Sequence, residues 1–408
     1  GLTADNDLRT PAWALQTTPL HRPQQKKDRN SSTPKPSTQH FIISPPTSPV
    51  PRQSFAGLQA TPSGWSHDIG APSERKQIDF DGAASQSCVA EELLPTASWP
   101  TATLTGRVTD SQAVRSVAFS KSGQLVAVGA NSKCLRILST APLLDNCRGE
   151  ELKALQELPR YHRGSIYCLA WSRDRLLASG SNDKSIKLLI CQPSTDPSNS
   201  VVCEARGRMN IHQGTVRELV FLTETLLASG GSGEPSLLIS DCETLQMVTN
   251  LSGHERQVLS VARGGQGLTI VSGGEDGTMR LWDWSSGKCI HTLSLSEPVT
   301  SLSTREQTVA VATVDGSCAV YDARSWGLVT SYQPHSDECR SVRHSPCGRW
   351  LLTGSYDGSV CLGEEGGAEW VEVAQHEDKV VQARWHPSGE VFASTSSDKT
   401  ACFWSLRC

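Results

Sequence analysis

The chain has 408 residues and a formal net charge of −4, a balance too even to indicate nucleic acid or an anionic membrane as a general partner. Hydrophobic residues make up 37% of it, enough for a sizeable core, but no apolar run has the length of a membrane span and no secretory signal is evident. The 14 cysteines form no Cys-x-x-Cys pair and fall mostly in predicted strands. We therefore expect reduced thiols in the cytoplasm rather than a disulfide framework.

Residues 1–95 are rich in Pro, Ser, Thr and Gln and show no periodic apolar pattern. Such a segment buries too little apolar surface to offset its chain entropy, so the sequence predicts a disordered tail. Two dipeptides in this tail, Ser44-Pro45 and Ser48-Pro49, are candidates for proline-directed phosphorylation.

From residue 97 onward the chain is repetitive. The repeat is clearest between Val271 and Leu293, where a Glu-Asp-Gly turn and a Ser-Ser-Gly turn separate three short apolar runs. A period of about 40 to 45 residues, with Gly-His before the unit and Trp-Asp after it, is typical of a four-stranded propeller blade. The first apolar residues of the units serve as anchors, spaced 52, 50, 42, 41, 40 and 41 residues apart: Val114, Ile166, Val216, Val258, Val299, Cys339 and Val380.

These repeats resemble those of the WD40 family, so the predicted fold is an all-β, seven-bladed WD40 β-propeller over residues 97–408. The last repeat stops at Cys408, just after its third predicted strand. The strand-like segment Trp99–Thr105 has no blade of its own, and we expect it to complete the last blade. Closure of this kind removes two exposed sheet edges at once.

The WD40 resemblance implies a structural hydrogen-bond chain from Trp through Ser and His to Asp within a blade. A buried carboxylate is tolerable there because it is fully partnered. Two repeats carry the whole set: His254, Ser272, Asp276 and Trp282 in the fourth, and His376, Ser394, Asp398 and Trp404 in the seventh.

The other five repeats depart from this set. The second and sixth keep the His and Asp but replace the Trp, and the remaining three lose the His or the Asp. In the second repeat Leu189 replaces the Trp beside His162 and Asp183, and in the sixth Gly363 replaces it beside His335 and Asp357. In the third repeat Gly233 replaces the Asp that would pair with His212, and in the fifth Leu295 replaces the His that would pair with Asp315. The first repeat has Asp110 and Ser132 at the His and Asp positions.

Two positions in each repeat are expected near the mouth of the channel, on the top face where WD40 proteins commonly bind peptides. The first register, just after each anchor, contains Arg115, Tyr167, Arg217, Leu259, Thr300, Arg340 and Val381. The second register, just before each turn Asp, contains Asn131, Asn182, Ser232, Glu275, Val314, Tyr356 and Ser397.

Three arginines in one register predict a basic, aromatic mouth suited to an acidic or phosphorylated peptide, because Arg and Tyr anchor interfaces when they lose water. The alternative for any one of these arginines is an ion pair inside the ring, with Glu218 or Glu275. Of all the members, we expect Arg115, Tyr167, Arg217, Glu275, Arg340, Tyr356, Asn131 and Asn182 to form the peptide-binding face.

No motif for catalysis or cofactor binding is recognised. The chain lacks a P-loop, a Gly-x-Ser-x-Gly elbow and a His-Glu-x-x-His helix. His335 with Cys339 or His344 has a spacing that could bind metal, but a blade loop explains the same residues. We therefore predict a protein that is not an enzyme and has no cofactor or metal.

Several segments also resemble the nemitin-like family of neuronal, microtubule-associated WD40 proteins. They include "HRGSIYCLAWS", "PHSDECRSVRHSP", "LLTGSYDGSV" and "HEDKVVQARWHPSGE". The resemblance implies a cytoplasmic, cytoskeletal scaffold that binds microtubule minus-end proteins of the CAMSAP family. The LisH/CTLH helical region of that family is not recognised in this sequence.

Two other functions remain open. One is a substrate receptor of a cullin-RING ubiquitin ligase, because "VYDAR" (Val320 to Arg324) approximates the Trp-Asp-x-Arg ending of such receptors. The other is a general WD40 platform for some other complex, which the fold alone permits.

Overall fold

The computed structural model describes residues 99–144, 149–193, 201–233, 236–265 and 267–407. The predicted tail, including its two Ser-Pro dipeptides, lies outside the described residues. In the described ranges no helix is long and apolar enough to cross a membrane. The cysteines that the structure describes are free thiols.

Seven β-sheets form the blades of the ring, which confirms the predicted seven-bladed propeller. The first strand along the chain, β1 (Thr101–Thr109), belongs to the last blade. Blade 1 contains β2 (Val114–Phe119), β3 (Leu125–Ala130), β4 (Leu135–Ser139) and β6 (Gln156–Leu158); α1 (Ala141–Leu144) and β5 (Glu150–Glu151) lie between β4 and β6 in the chain.

Blades 2 to 4 each contain four consecutive antiparallel strands. Blade 2 consists of β7 (Ile166–Ser172), β8 (Leu176–Ser181), β9 (Ile186–Pro193) and β10 (Val201–Met209). Blade 3 consists of β11 (Val216–Phe221), β12 (Leu226–Gly231), β13 (Leu237–Asp241) and β14 (Gln246–Asn250). Blade 4 consists of β15 (Val258–Arg263), β16 (Thr269–Gly274), β17 (Thr278–Asp283) and β18 (Lys288–Ser294).

Blades 5 and 6 repeat this order. Blade 5 consists of β19 (Val299–Arg305), β20 (Thr308–Thr313), β21 (Cys318–Asp322) and β22 (Leu328–Tyr332). Blade 6 consists of β23 (Cys339–His344), β24 (Trp350–Ser355), β25 (Ser359–Glu364) and β26 (Trp370–Gln375). Blade 7 contributes β27 (Val380–Trp385), β28 (Val391–Ser396) and β29 (Thr400–Arg407).

The first strand closes the ring. β1 pairs antiparallel with β29, from Thr101 opposite Arg407 to Thr109 opposite Thr400, and β5 adds a short parallel contact on its outer side. The predicted bounds of this strand were wrong, because the strand begins two residues later and continues to Thr109. A bulge between Leu104 and Gly106 lets the pairing resume, and the strand then carries Val108 into the core.

The core lies between neighbouring blades, where apolar side chains of consecutive sheets interdigitate. One cluster packs Ile186 and Leu188 of blade 2 against Val216 and Leu227 of blade 3, and similar clusters follow around the ring. All seven anchors are fully buried, which explains why they carry the repeat signal in the sequence.

A β-bulge follows the anchor in every blade. The innermost strand pairs at its first residue and again at its third, so the second residue has no partner in the ladder, as between Val216 and Glu218. Bulges bend a strand and change the direction of a side chain. The bulged residues are the members of the first register.

Candidate binding site at one mouth of the channel

The hydrogen-bond chain of blade 4 joins all four expected side chains. His254 Nδ1 lies 2.9 Å from an oxygen of Asp276, and its Nε2 lies 2.7 Å from Ser272 Oγ. Trp282 Nε1 donates to the same Ser272 hydroxyl at 2.7 Å. Burial lowers the pKa of His254 despite the nearby carboxylate, so the ring is neutral and donates from Nδ1.

Blade 7 has the same geometry. His376 Nδ1 lies 2.8 Å from Asp398, His376 Nε2 lies 2.6 Å from Ser394 Oγ, and Trp404 Nε1 donates to Ser394 at 2.8 Å. Burial would raise the pKa of Asp398, but hydrogen bonds from His376 and Thr400 outweigh that cost and hold the pKa near 2.

Blades 2 and 6 keep the His and Asp contacts without the Trp. His162 and His335 each lie 3.1 Å from their Asp, through Nδ1. In blade 6 the ring of Trp370, from the neighbouring outer strand, lies over Gly363 and fills the space that a side chain there would need. The missing Trp is thus replaced by packing from another strand.

Blades 1, 3 and 5 use other contacts at this position. In blade 1, Ser132 donates to Asp110 at 2.9 Å, and Arg136 forms an ion pair with the same carboxylate. In blade 5, Asp315 accepts from Thr313 and from the backbone of Ser317. In blade 3 the histidine keeps its contact with the serine of the second strand.

The turn of blade 3 is longer than the turn of blade 4, since five residues separate β12 from β13 where three separate β16 from β17. His212 Nε2 lies 2.7 Å from Ser229 Oγ, but its Nδ1 is buried without a partner among the described residues. Burial alone lowers the pKa of His212 to about 4. Within the described part of this turn, the missing carboxylate therefore leaves an unsatisfied polar group.

The bulges bring the whole first register to the channel. All seven of its members line one cavity of about 60 Å³, which we call the channel cavity. Glu218, Arg343, Tyr356, Gln382 and Arg384 are among the other residues that line it. Each register member is the second residue of an innermost strand, so the cavity lies at the end of the channel where these strands begin.

Arginines lie over tyrosine rings in the channel cavity, across blade boundaries at Tyr167 and within blade 6 at Tyr356. The guanidinium carbons of Arg115, from blade 1, and Arg217, from blade 3, lie 5.1 and 4.9 Å from the centre of the Tyr167 ring of blade 2. Arg340 lies 5.3 Å from the centre of the Tyr356 ring. Such contacts fix the guanidinium groups without neutralising their charge.

The second register lies beside the first at the same end of the ring. In every blade its backbone N–H donates to the carbonyl of the residue that precedes the anchor. Tyr356 lines the channel cavity, whereas the others do not; Asn131 instead accepts from Arg115 Nε at 2.7 Å. Glu275 accepts from Gln257 at 3.0 Å, and Asn182 is exposed.

Ion pairs with Glu218 do form inside the ring, but they involve Arg343 and Arg384 rather than the arginines of the first register. Glu218 Oε1 lies 3.2 Å from Arg343 Nη2 and 3.4 Å from Arg384 Nη2, across the channel from blade 3 to blades 6 and 7. In the described residues no carboxylate lies within 4 Å of Arg115 or Arg217, and Arg340 has Glu338 at 3.5 Å.

Arg343 and Arg384 were missed by sequence reasoning, although a signal for them exists. Both stand four residues after their anchor, where the other blades have small or apolar residues such as Ala118 and Val220. Burial, with Arg343 close by, lowers the pKa of Arg384 to about 9. The cavity is therefore more basic than the first register alone predicts.

No group of side chains suited to a metal ion is found in the ranges that the structure describes. His335 is committed to the contacts with Asp357 and Thr353, and His344 Nδ1 lies 2.8 Å from Ser303 Oγ. The repeats and the seven sheets define the class of the protein as a β-propeller.

Sequence comparison agrees with this class. Five segments, residues 98–138, 153–188, 245–283, 326–362 and 371–405, match the family described as WD domain, G-beta repeat. The chain belongs to the WD40 repeat proteins. The unmatched stretches contain the inner strands of blades 3 and 5, whose His and Asp pairs are incomplete.

Curated relatives are similar at low identity. The protein tipD of Dictyostelium discoideum is 23% identical over 71% of this chain, which spans 46% of the relative's length. Nuclear distribution protein PAC1 of Arthroderma benhamiae is 26% identical over 83% of the chain and 69% of the relative. Echinoderm microtubule-associated protein-like 2 of Mus musculus is 24% identical over 61% of the chain and 38% of the relative.

Proposed function

We propose that the protein is a scaffold without catalytic activity that binds an acidic or phosphorylated segment of a partner at the channel cavity. The supporting observation is the convergence of Arg115, Arg217 and Arg340 on one cavity, with Tyr167 and Tyr356 between them. Charge-assisted hydrogen bonds from guanidinium groups recognise carboxylates and phosphates, and aromatic rings add contact area. WD40 propellers act generally as scaffolds, in keeping with this role.

The partner is proposed to belong to the microtubule cytoskeleton. The echinoderm microtubule-associated protein-like relative supports this direction, since its name states a microtubule association. The resemblance to nemitin-like proteins refines it to minus-end-binding proteins of the CAMSAP type. The proposed location is the cytoplasmic cytoskeleton, with indirect attachment to microtubules.

The ligase-receptor alternative depends on Arg324, in the turn that follows β21. Its side chain is 62% exposed and therefore accessible to an adaptor. The guanidinium lies 3.2 Å from Asp322 within the same turn, and Tyr321 stands where the receptor motif has Trp. This turn lies outside the channel cavity, so variants of the two surfaces separate the two functions.

Calorimetric titration of the full chain with segments of minus-end-binding proteins tests the proposal. Replacing Arg115, Arg217 or Arg340 by Ala should each weaken binding by about 1 to 3 kcal/mol, because each removes a charge-assisted contact from a partly desolvated site. The matched control is Arg263→Ala, the last residue of β15 and thus at the opposite end of an innermost strand.

Circular dichroism should show that every variant is folded. If all three channel variants bind as tightly as the parent, the partner contacts another surface. If no minus-end segment binds the parent, the cytoskeletal partner is wrong, and the ligase adaptor becomes the next binding partner to measure against Arg324→Ala.

A further inference from the structure

The channel cavity carries more positive charge than its own residues compensate. Five of its lining side chains are arginines, and Glu218 is its one lining carboxylate in the part of the chain that the structure describes. That carboxylate is shared between Arg343 at 3.2 Å and Arg384 at 3.4 Å, with all three side chains less than a fifth exposed. One carboxylate cannot neutralise two guanidinium groups, so a net positive charge remains inside the ring.

The arginines also affect one another. Burial, with Arg340 and Arg115 nearby, lowers the pKa of Arg217. The pKa of Arg384 is lowered in the same way by burial and by Arg343. Bringing like charges together in a poorly hydrated space costs free energy unless an anion accompanies them.

Two hydrogen-bond donors in this cluster have no acceptor. The Nε atoms of Arg217 and Arg340 are both buried and unpartnered within the described ranges. They come from blades 3 and 6, so they approach the cavity from different sides of the ring. A buried N–H without an acceptor is destabilising, and an anion with several oxygen atoms would supply the missing acceptors.

The size of the cavity agrees with a small anion. Its volume of about 60 Å³ corresponds to about four or five water-sized groups, which is the number of heavy atoms in a phosphate group. A tetrahedral oxyanion presents acceptors in several directions, as donors from several blades require, and guanidinium groups bind such oxygens in pairs.

We propose that the channel cavity is a phosphate-binding site, with Arg217 and Arg340 as the direct donors and Arg343 and Arg384 supplying positive charge behind them. The same chemistry admits inorganic phosphate and the phosphate monoester of a phosphorylated side chain. The second source depends on the proposed function and makes partner binding depend on phosphorylation, since a single Asp or Glu carboxylate carries half the charge of a phosphate dianion.

Titration of the full chain with inorganic phosphate tests the site by itself. Binding is measured from the thermal midpoint of unfolding and from the phosphorus NMR line width. A ligand that binds the folded state alone raises the midpoint in a saturable way. Arg217→Gln should weaken phosphate binding at least about tenfold, which is the value of a hydrogen bond to a charged group. Glu218→Gln should instead tighten it several-fold, because it removes the competing carboxylate, and Arg263→Gln should change nothing.

The opposite signs for Arg217→Gln and Glu218→Gln separate a binding site from general destabilisation. Absence of saturable phosphate binding by the parent, or equal binding by Arg217→Gln, would overturn the site. Partner segments that carry phosphoserine, Ser or Asp at one position then show whether the natural ligand is free phosphate or a phosphorylated side chain. If inorganic phosphate displaces only the phosphoserine segment, the ligand is the phosphate monoester of a side chain. Phosphate binding without any segment binding retains the site for free phosphate and rejects the proposed function, whereas segment binding by a parent chain that shows no saturable phosphate binding rejects this inference alone.

Discussion

Removing the turn carboxylate of blade 4 should destabilise the protein through one buried histidine. Asp276 is 5% exposed and accepts from His254, from the backbone of Glu255 at 3.0 Å, and from the backbone and hydroxyl of Thr278 at 3.0 and 2.8 Å. Asp276→Ala leaves His254 Nδ1 buried with only the Thr278 hydroxyl within reach, at 3.2 Å.

The magnitude follows from those contacts. An orphaned buried donor costs about 1 to 3 kcal/mol, and each lost hydrogen bond to the loop backbone adds about 0.5 to 1.5 kcal/mol before water replaces part of it. The expected loss of unfolding free energy is therefore about 2 to 4 kcal/mol.

Asp315→Ala is the matched control, because Asp315 holds the same turn position in blade 5 where Leu295 stands in place of the His. It should cost only about 1 kcal/mol, since no histidine is orphaned. Urea unfolding followed by circular dichroism measures both variants against the parent. A loss below about 0.5 kcal/mol for Asp276→Ala, or equal losses for the two variants, would refute the role assigned to the histidine contact.

Three other predictions concern closure, pH and salt. Deleting residues 1–90 should leave the thermal midpoint almost unchanged, whereas deleting 1–108 removes most of β1 and should cause aggregation, a contrast that light scattering would detect. His162 and His212 have pKa values near 4 in the folded chain, against about 6.5 when unfolded, so the unfolded state binds more protons between these values. Stability should fall as pH drops from about 6.5 toward 4, and His212→Gln should reduce that slope; an unchanged slope in urea titrations would contradict it. Tyr356→Ala should weaken partner binding with less dependence on ionic strength than Arg217→Ala, and equal salt dependence in calorimetry would count against the assigned roles.

The sequence predicts the ring because the anchors are buried at regular intervals and the tight turns lie between them. Val114 and Val380 are each fully buried at the first position of an innermost strand, so the period in the sequence is the period of the blades. The end of the closing strand was misplaced because the pairing continues beyond a bulge between Leu104 and Gly106, and bulges leave little trace in the residue pattern.

Part of the candidate site was predictable from the sequence, because its arginines recur at one position of the repeat. Arg115, Arg217 and Arg340 share one bulged position, which the repeat alignment identifies without a structure. Arg343 and Arg384 also share one position in the repeat, but their pairing with Glu218 required the structure, because Glu218 lies in another blade, 125 residues from Arg343 in the chain. Trp370 over Gly363 is also a contact between strands that the repeat pattern does not encode.

The most direct test of the binding site is affinity purification of the full chain from reduced cytosol, with proteins identified by mass spectrometry. The parent and the Arg263→Ala control should retain minus-end-binding proteins and tubulin, while the triple variant Arg115→Ala, Arg217→Ala and Arg340→Ala should lose them. Retention of the same partners by the triple variant, or recovery of a ligase adaptor and cullin in their place, would contradict the account.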